Sequence, residues 1–210
     1  MAYDSRHLRA RFERAAVEAG ALRPSAATFD ALVARYGEAH RHYHDLTHIA
    51  ACLGWLDRFR DAAERPDEVE LALWFHDAIY DPRAKDNELQ SARLAREALG
   101  ALGVERGAVD RIARLVELTE THAPGSGDAA LVIDVDLTIL AAAPDDFVRF
   151  EEQIRSEYAH VPDELFRPGR RRVLQSFLST PTIYQVPRIR EELETRARAN
   201  LERRIAELSS

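Results

Sequence analysis

Apolar residues recur at three- and four-residue steps along almost the whole chain, the period of helices with one buried face. The pattern predicts a helix over residues 5–19 closed by Gly20, and a second over 25–36, capped by Ser25 and ended by Gly37. Further helices are predicted near 45–60, 66–80, 87–102, 105–121 and 131–142, and then over 144–158, 163–179 and 187–208. No stretch keeps the two-residue alternation of a half-buried strand. The β-rich triplet Leu131, Val132, Ile133 is too short to outweigh its helical continuation. The fold class is therefore all-α. The last helix, rich in Arg and Glu, is expected to have a long solvated face.

Length and composition narrow the picture. At 210 residues and 46% hydrophobic content the chain can bury one good core, and no segment has linker composition, so one domain over 1–210 is expected. Met1 to His7 lacks the apolar core of a secretory signal, and no run approaches the roughly 20 apolar residues of a membrane span. A cytoplasmic protein without a membrane partner is the expectation. A formal charge of -7, from 36 acidic against 29 basic residues, argues against a nucleic-acid polymer as partner and leaves a small phosphorylated substrate compatible. Only Lys85 among the basic residues is lysine. The single Cys52 excludes an intrachain disulfide and falls on an apolar helix face, where a buried structural thiol is expected.

Five of the eight histidines fall between positions 40 and 76, which moves the reading from ordinary core histidines toward ligation. His44 and His48 are four apart, so on one helix both can look into one site. His76 and Asp77 follow an apolar run, Val69 to Phe75, where an unpaired buried charge is costly and a metal ion supplies the partner. Adjacent helical residues diverge by about 100°, so both grip one ion only at a helix end. Histidine and carboxylate donors suit divalent transition metals and can leave positions open for water and substrate. Asp134 and Asp136 are about 200° apart on a helix, so one is a ligand and the other a cap or supporting acceptor.

These residues together resemble the HD superfamily of metal-dependent phosphohydrolases, which places a His, a His-Asp pair and a distant Asp on helices. Tyr43-His44-Asp45-Leu46-Thr47-His48 is similar to the Tyr-His-Asn-x-x-His element of cyclic-nucleotide phosphodiesterases, with Asp45 standing where that element has Asn. Residues 74–82, Asp86-Asn87-Glu88, Ser91-Ala92 and 134–140 look like a smaller bacterial group of predicted HD phosphohydrolases. That likeness continues through Glu157-Tyr158, Gly169-Arg170 and Ile183-Tyr184, and so covers most of the chain. The resemblance implies an HD-type helical bundle. It implies His48, His76, Asp77 and Asp136 as ligands of one or two divalent ions, with manganese, iron, cobalt, nickel, zinc and magnesium all compatible. It also implies His44 as proton donor to the leaving group, with Asp77 bridging the ions if two are bound. Asp136 as the ligand agrees with the helical argument, because Asp134 precedes the best helical stretch and can cap it.

Several neighbours extend the expected site. Asp81, Asp86 and Glu88 follow the His-Asp pair closely; Asp86 is read equally as a cap, and Glu88 as a site residue on the family likeness. His122, before the Pro124 to Gly127 loop, is either a helix C-terminal cation or a contact to phosphate or a second metal. Arg41 is a candidate for phosphate or for a surface carboxylate, and Arg170 stands out from the Arg170-Arg171-Arg172 run only through the resemblance. The implied reaction is hydrolysis of a small phosphate ester, a nucleotide or related phosphomonoester or phosphodiester, by a metal-activated water. The alternatives are a silent, metal-containing nucleotide sensor and an HD-type di-iron oxygenase.

Overall fold

The computed structural model describes residues 5–123 and 125–209; the start of the expected signal-free N-terminus, Met1 to Asp4, and Pro124 of the 124–127 loop lie outside them. Among the described residues the chain is entirely helical outside its turns, with ten α-helices and two short 3-10 segments and no strand. No helix among them is long and apolar enough to cross a membrane. Two compact units are distinguished, Met1–Ile133 and Asp134–Ser210. The division falls inside helix α7 (Gly127–Asp136), which is why no linker composition marks it.

The first unit is built around α4 (Pro66–Phe75). Val69 and Leu71 to Phe75 are all 0% exposed, so this helix is apolar on every side and must be wrapped. Helices α1 (Ser5–Glu18), α3 (Leu46–Phe59), α5 (Asn87–Ala101) and α6 (Arg106–Leu118) pack against it. Trp74 is clasped by Phe12 of α1 and Phe29 of α2 (Ala26–Tyr36) in edge-on contacts at 5.6 and 5.7 Å, and the Tyr36 hydroxyl donates to its carbonyl at 3.0 Å. The one carboxylate within this run, Glu70, is also fully buried and is met by Arg11 at 2.8 Å and Arg60 at 2.9 Å. Arg14 adds a third, longer contact at 3.4 Å, and a buried charge so surrounded by guanidinium groups has its lone pairs satisfied and ties α1 and the end of α3 to α4.

The second unit is organised by α10 (Pro187–Ser209), which buries Ile189, Leu193, Ala197, Leu201 and Leu208 along one stripe against α9 (Asp163–Leu178). The opposite Arg- and Glu-rich face is solvated, as its sequence indicates. Asn200 of α10 donates to the carbonyls of Leu140 and Ala142 at 2.9 Å each, stitching α10 to the 3-10 segment Leu137–Ala141. Helix α8 (Pro144–Glu157) packs on the same segment.

Most helix limits agree with the hydrophobic pattern, and the differences concern the ends. Gly20 closes α1 with a left-handed φ of 97°, while Ala21 N-H reaches back to Ala16 at 2.8 Å. Ser25 sits at the N-cap of α2 without a capping side-chain hydrogen bond, and Gly37 ends that helix at an ordinary φ of -92°. Helix α4 stops at Phe75, not at residue 80, so His76 and Asp77 fall at its C-terminus. The expected 131–142 helix begins earlier, at Gly127, and gives way after Asp136 to the 3-10 segment.

Candidate metal centre

Residues 41–45 form turns, and Asp45 then starts α3 from extended backbone, φ -108° and ψ -175°, with its carboxylate accepting from Thr47 N-H at 2.7 Å and His48 N-H at 3.2 Å. This is N-cap geometry, and it places His48 in the first helical turn beside Ile49 and Cys52, all buried. His44 therefore lies outside the helix, and the shared-face argument for His44 and His48 does not apply. The turn brings them together instead, with ring centroids 6.1 Å apart and Tyr43 packed against both at 5.0 and 4.8 Å.

At the end of α4, His76 N-H completes the helical bond to Ala72 O at 2.9 Å, and its Nδ1 lies 2.9 Å from Leu73 O. A carbonyl can only accept, so Nδ1 carries the hydrogen and Nε2 presents a lone pair. That Nε2 stands 3.2 Å from His48 Nε2, and Asp77 Oδ2 stands 3.0 Å from His76 Nε2 and 3.5 Å from His48 Nε2. Two nitrogens each about 2.0–2.1 Å from one ion are separated by about 2.9–3.4 Å for angles between octahedral and tetrahedral. The pair has that spacing. Asp136, the distant carboxylate of the expected ligand set, ends α7.

Burial opposes the charge of Asp77, but His76, then His44 and His48, outweigh it and hold the carboxyl well below the usual aspartate range. His48 and His76 are buried, whereas Asp77 is only partly so.

The remaining expected site residues are distributed unevenly. Glu88, in the first turn of α5, shares the field of this cluster: burial raises its carboxyl, Asp77 and Glu120 raise it further, and His122 pulls the other way. His122 lies beyond the end of α6 at Leu118, in a turn with a left-handed φ of 47°, so it is not the C-terminal cation of that helix. Asp81 is exposed, and its carboxylate caps Arg83 N-H within its own loop at 2.9 Å. Asp86 makes no cap to α5; it accepts from the Gln90 side chain at 2.9 Å, and Asn87 ties the loop instead by paired bonds with the Asp81 backbone at 3.0 Å.

Arg41 and Asp134 each take one of their two expected roles, and Arg170 takes neither a phosphate nor a solvated position. Arg41 is not a phosphate clamp: its side chain is fully buried, its guanidinium donates to the carbonyls of His44, Asp77 and Ala78 at 3.0, 2.7 and 3.1 Å, and its Nε meets Glu38 at 3.0 Å. It locks the His44 turn to the His76-Asp77 turn. Arg170 is paired with the buried Glu151 at 2.6 Å, which also binds Arg204 at 3.0 Å, and belongs to the core of the second unit. Asp134 does not cap its own helix; it lies inside α7, 0% exposed, and accepts from the N-H groups of Gln185 and Val186 that lead into α10. An isolated basic or acidic residue carries no sequence signal of the backbone groups it will meet, so these partners were not legible beforehand. Comparison with protein-family models, with curated proteins and with solved structures found no match to this chain.

Proposed function

We propose that the chain is a metal-dependent phosphohydrolase of the HD type, acting on a small phosphate ester such as a nucleotide or a related phosphomonoester or phosphodiester. The observation that carries the reading is the convergence of His48 Nε2, His76 Nε2 and Asp77 Oδ2 within 3.0–3.5 Å, with the His76 tautomer set by Leu73 O. His48, His76, Asp77 and Asp136 would hold the ion. When bound, a divalent cation supplies positive charge to a phosphoryl oxygen and lowers the pKa of water toward neutrality.

The chain's own residues do the rest. Asp77, whose carboxyl lies below the usual aspartate range, would contribute negative charge to a bound cation. His44, outside α3 and beside His48, would deliver a proton to the departing oxygen. Arg41 fixes the distance between the turn that carries His44 and the turn that carries Asp77. The test is metal analysis of the purified chain together with a screen of nucleotides, phosphomonoesters and phosphodiesters, run with manganese, cobalt, zinc and magnesium. Metal-dependent release of product is expected. Bound metal with tight nucleotide binding and no turnover would favour the sensor, and iron with oxygen consumption would favour the oxygenase.

A further inference from the structure

Tyr80 follows the His76-Asp77 pair by three residues, and its ring stacks on His44 with centroids 4.2 Å apart and planes inclined by 29°. The tyrosine is itself held. The His40 ring lies parallel to it at 6.3 Å, and His40 Nε2 donates to the Tyr80 carbonyl at 2.8 Å. The Arg41 guanidinium stands 5.5 Å from its ring centroid while bound to the His44, Asp77 and Ala78 carbonyls. Tyr43 meets His44 edge-on, 5.0 Å away with planes at 81°. One ring against its face and another against its edge restrict rotation of the His44 imidazole, as aromatic pairs of these geometries do.

We propose that Tyr80 is a positioning residue: its ring face sets the orientation of the His44 imidazole. The consequence for turnover rests on the phosphohydrolase reading, whereas the stack does not. In that reaction water, having lost a proton to solvent, forms a new P–O bond as hydroxide; the P–O bond to the leaving group breaks with its electron pair staying on the leaving oxygen, and a proton passes from an imidazolium nitrogen of His44 to that oxygen, leaving His44 neutral. A proton donor free to rotate spends less time aimed at the leaving oxygen, and misplacement on the scale of 1 Å can cost about 10²-fold in rate. The Tyr80 hydroxyl has no part in this. A phenyl ring at the same place is sufficient.

The experiment compares Tyr80→Phe and Tyr80→Leu in the full-length, zinc-loaded chain, with two readouts. By proton NMR, the ring signals of His44, assigned by their absence in His44→Ala, should be shifted upfield by the Tyr80 ring in wild type and in Tyr80→Phe. They should move downfield in Tyr80→Leu. In turnover, Tyr80→Phe should retain wild-type kcat, and Tyr80→Leu should lose about 10- to 100-fold in kcat at unchanged KM and metal content. Introduced into His44→Ala, Tyr80→Leu should add nothing, because it acts only through the imidazole. An equal loss with and without His44, or a Tyr80→Phe variant as slow as Tyr80→Leu, overturns the proposal. His44 signals that ignore Tyr80→Leu overturn it without any activity measurement. A wild-type chain that hydrolyses no ester refutes the phosphohydrolase reading, and the NMR arm then decides the positioning role by itself.

Discussion

Asp134 offers a quantitative test of how burial sets charge in this protein. Its carboxyl is fully buried, and burial pushes its pKa up to about 6 from an ordinary 3.8, against the opposing pull of the Gln185 and Val186 N-H groups. A native pKa above the unfolded one means that the native chain binds more protons between the two values. Stability from this group is therefore fully present below about pH 4 and is lost as pH rises through about 6. The shift from 3.8 to about 6, at about 1.4 kcal/mol per unit, amounts to about 3 kcal/mol. Asp134→Asn keeps an oxygen for the two N-H groups and cannot ionise. The difference in unfolding free energy between wild type and variant should thus change by about 3 kcal/mol from about pH 4 to about pH 7, in favour of the variant at the higher pH. Urea denaturation at several pH values, with a chelator present so that no ion contributes, measures it. Contributions from other carboxylates cancel in the difference. A difference independent of pH, or one that favours wild type as pH rises, would refute the reasoning and show that the two N-H groups stabilise the anion more than burial opposes it.

Three further outcomes test the centre. His76→Ala should lose metal and the metal-dependent part of its thermal stability, since an ion that binds only the native state contributes folding free energy; retained occupancy in elemental analysis removes His76 from the ligand set. His48→Ala should lose metal, whereas His44→Ala should keep it and lose about 10²- to 10⁴-fold in turnover; likewise Asp136→Ala should lose metal and Asp134→Ala should keep it, and reversal of either pair reverses that assignment. Arg41→Lys should lower stability by about 2–4 kcal/mol, because an ammonium cannot reach three carbonyls as a planar fork does; unchanged unfolding with a raised KM alone would return Arg41 to a phosphate-binding role.

The helices were legible because their burial is one-sided and periodic: α8 and α10 begin at Pro144 and Pro187, where the sequence placed them. Their ends were less legible where backbone geometry, not hydrophobicity, decides. The apolar run continues through Ala78 and Ile79, yet α4 stops at Phe75, and nothing in the periodicity marks that point. The histidine clustering and the His-Asp pair carried the candidate site, since groups that are costly to bury must find partners. What the spacing misjudged was the route by which His44 arrives: Asp45 caps α3, so the preceding histidine is set by a turn. Tyr80 carried no ligand signal, and the fork of Arg41 points at carbonyls that any sequence would supply. Contacts to backbone are invisible in side-chain patterns.

The sulfur of Cys52, 1% exposed, lies 3.7 Å from both ring nitrogens of His48. As the chain's sole thiol it is a built-in reporter, because an alkylating reagent can reach it only when the start of α3 opens away from its neighbours. Its modification rate then reads the opening equilibrium at the histidine cluster, separately from global unfolding. Any ion gripping His48 should lengthen that clock by the free energy with which it holds the helix shut.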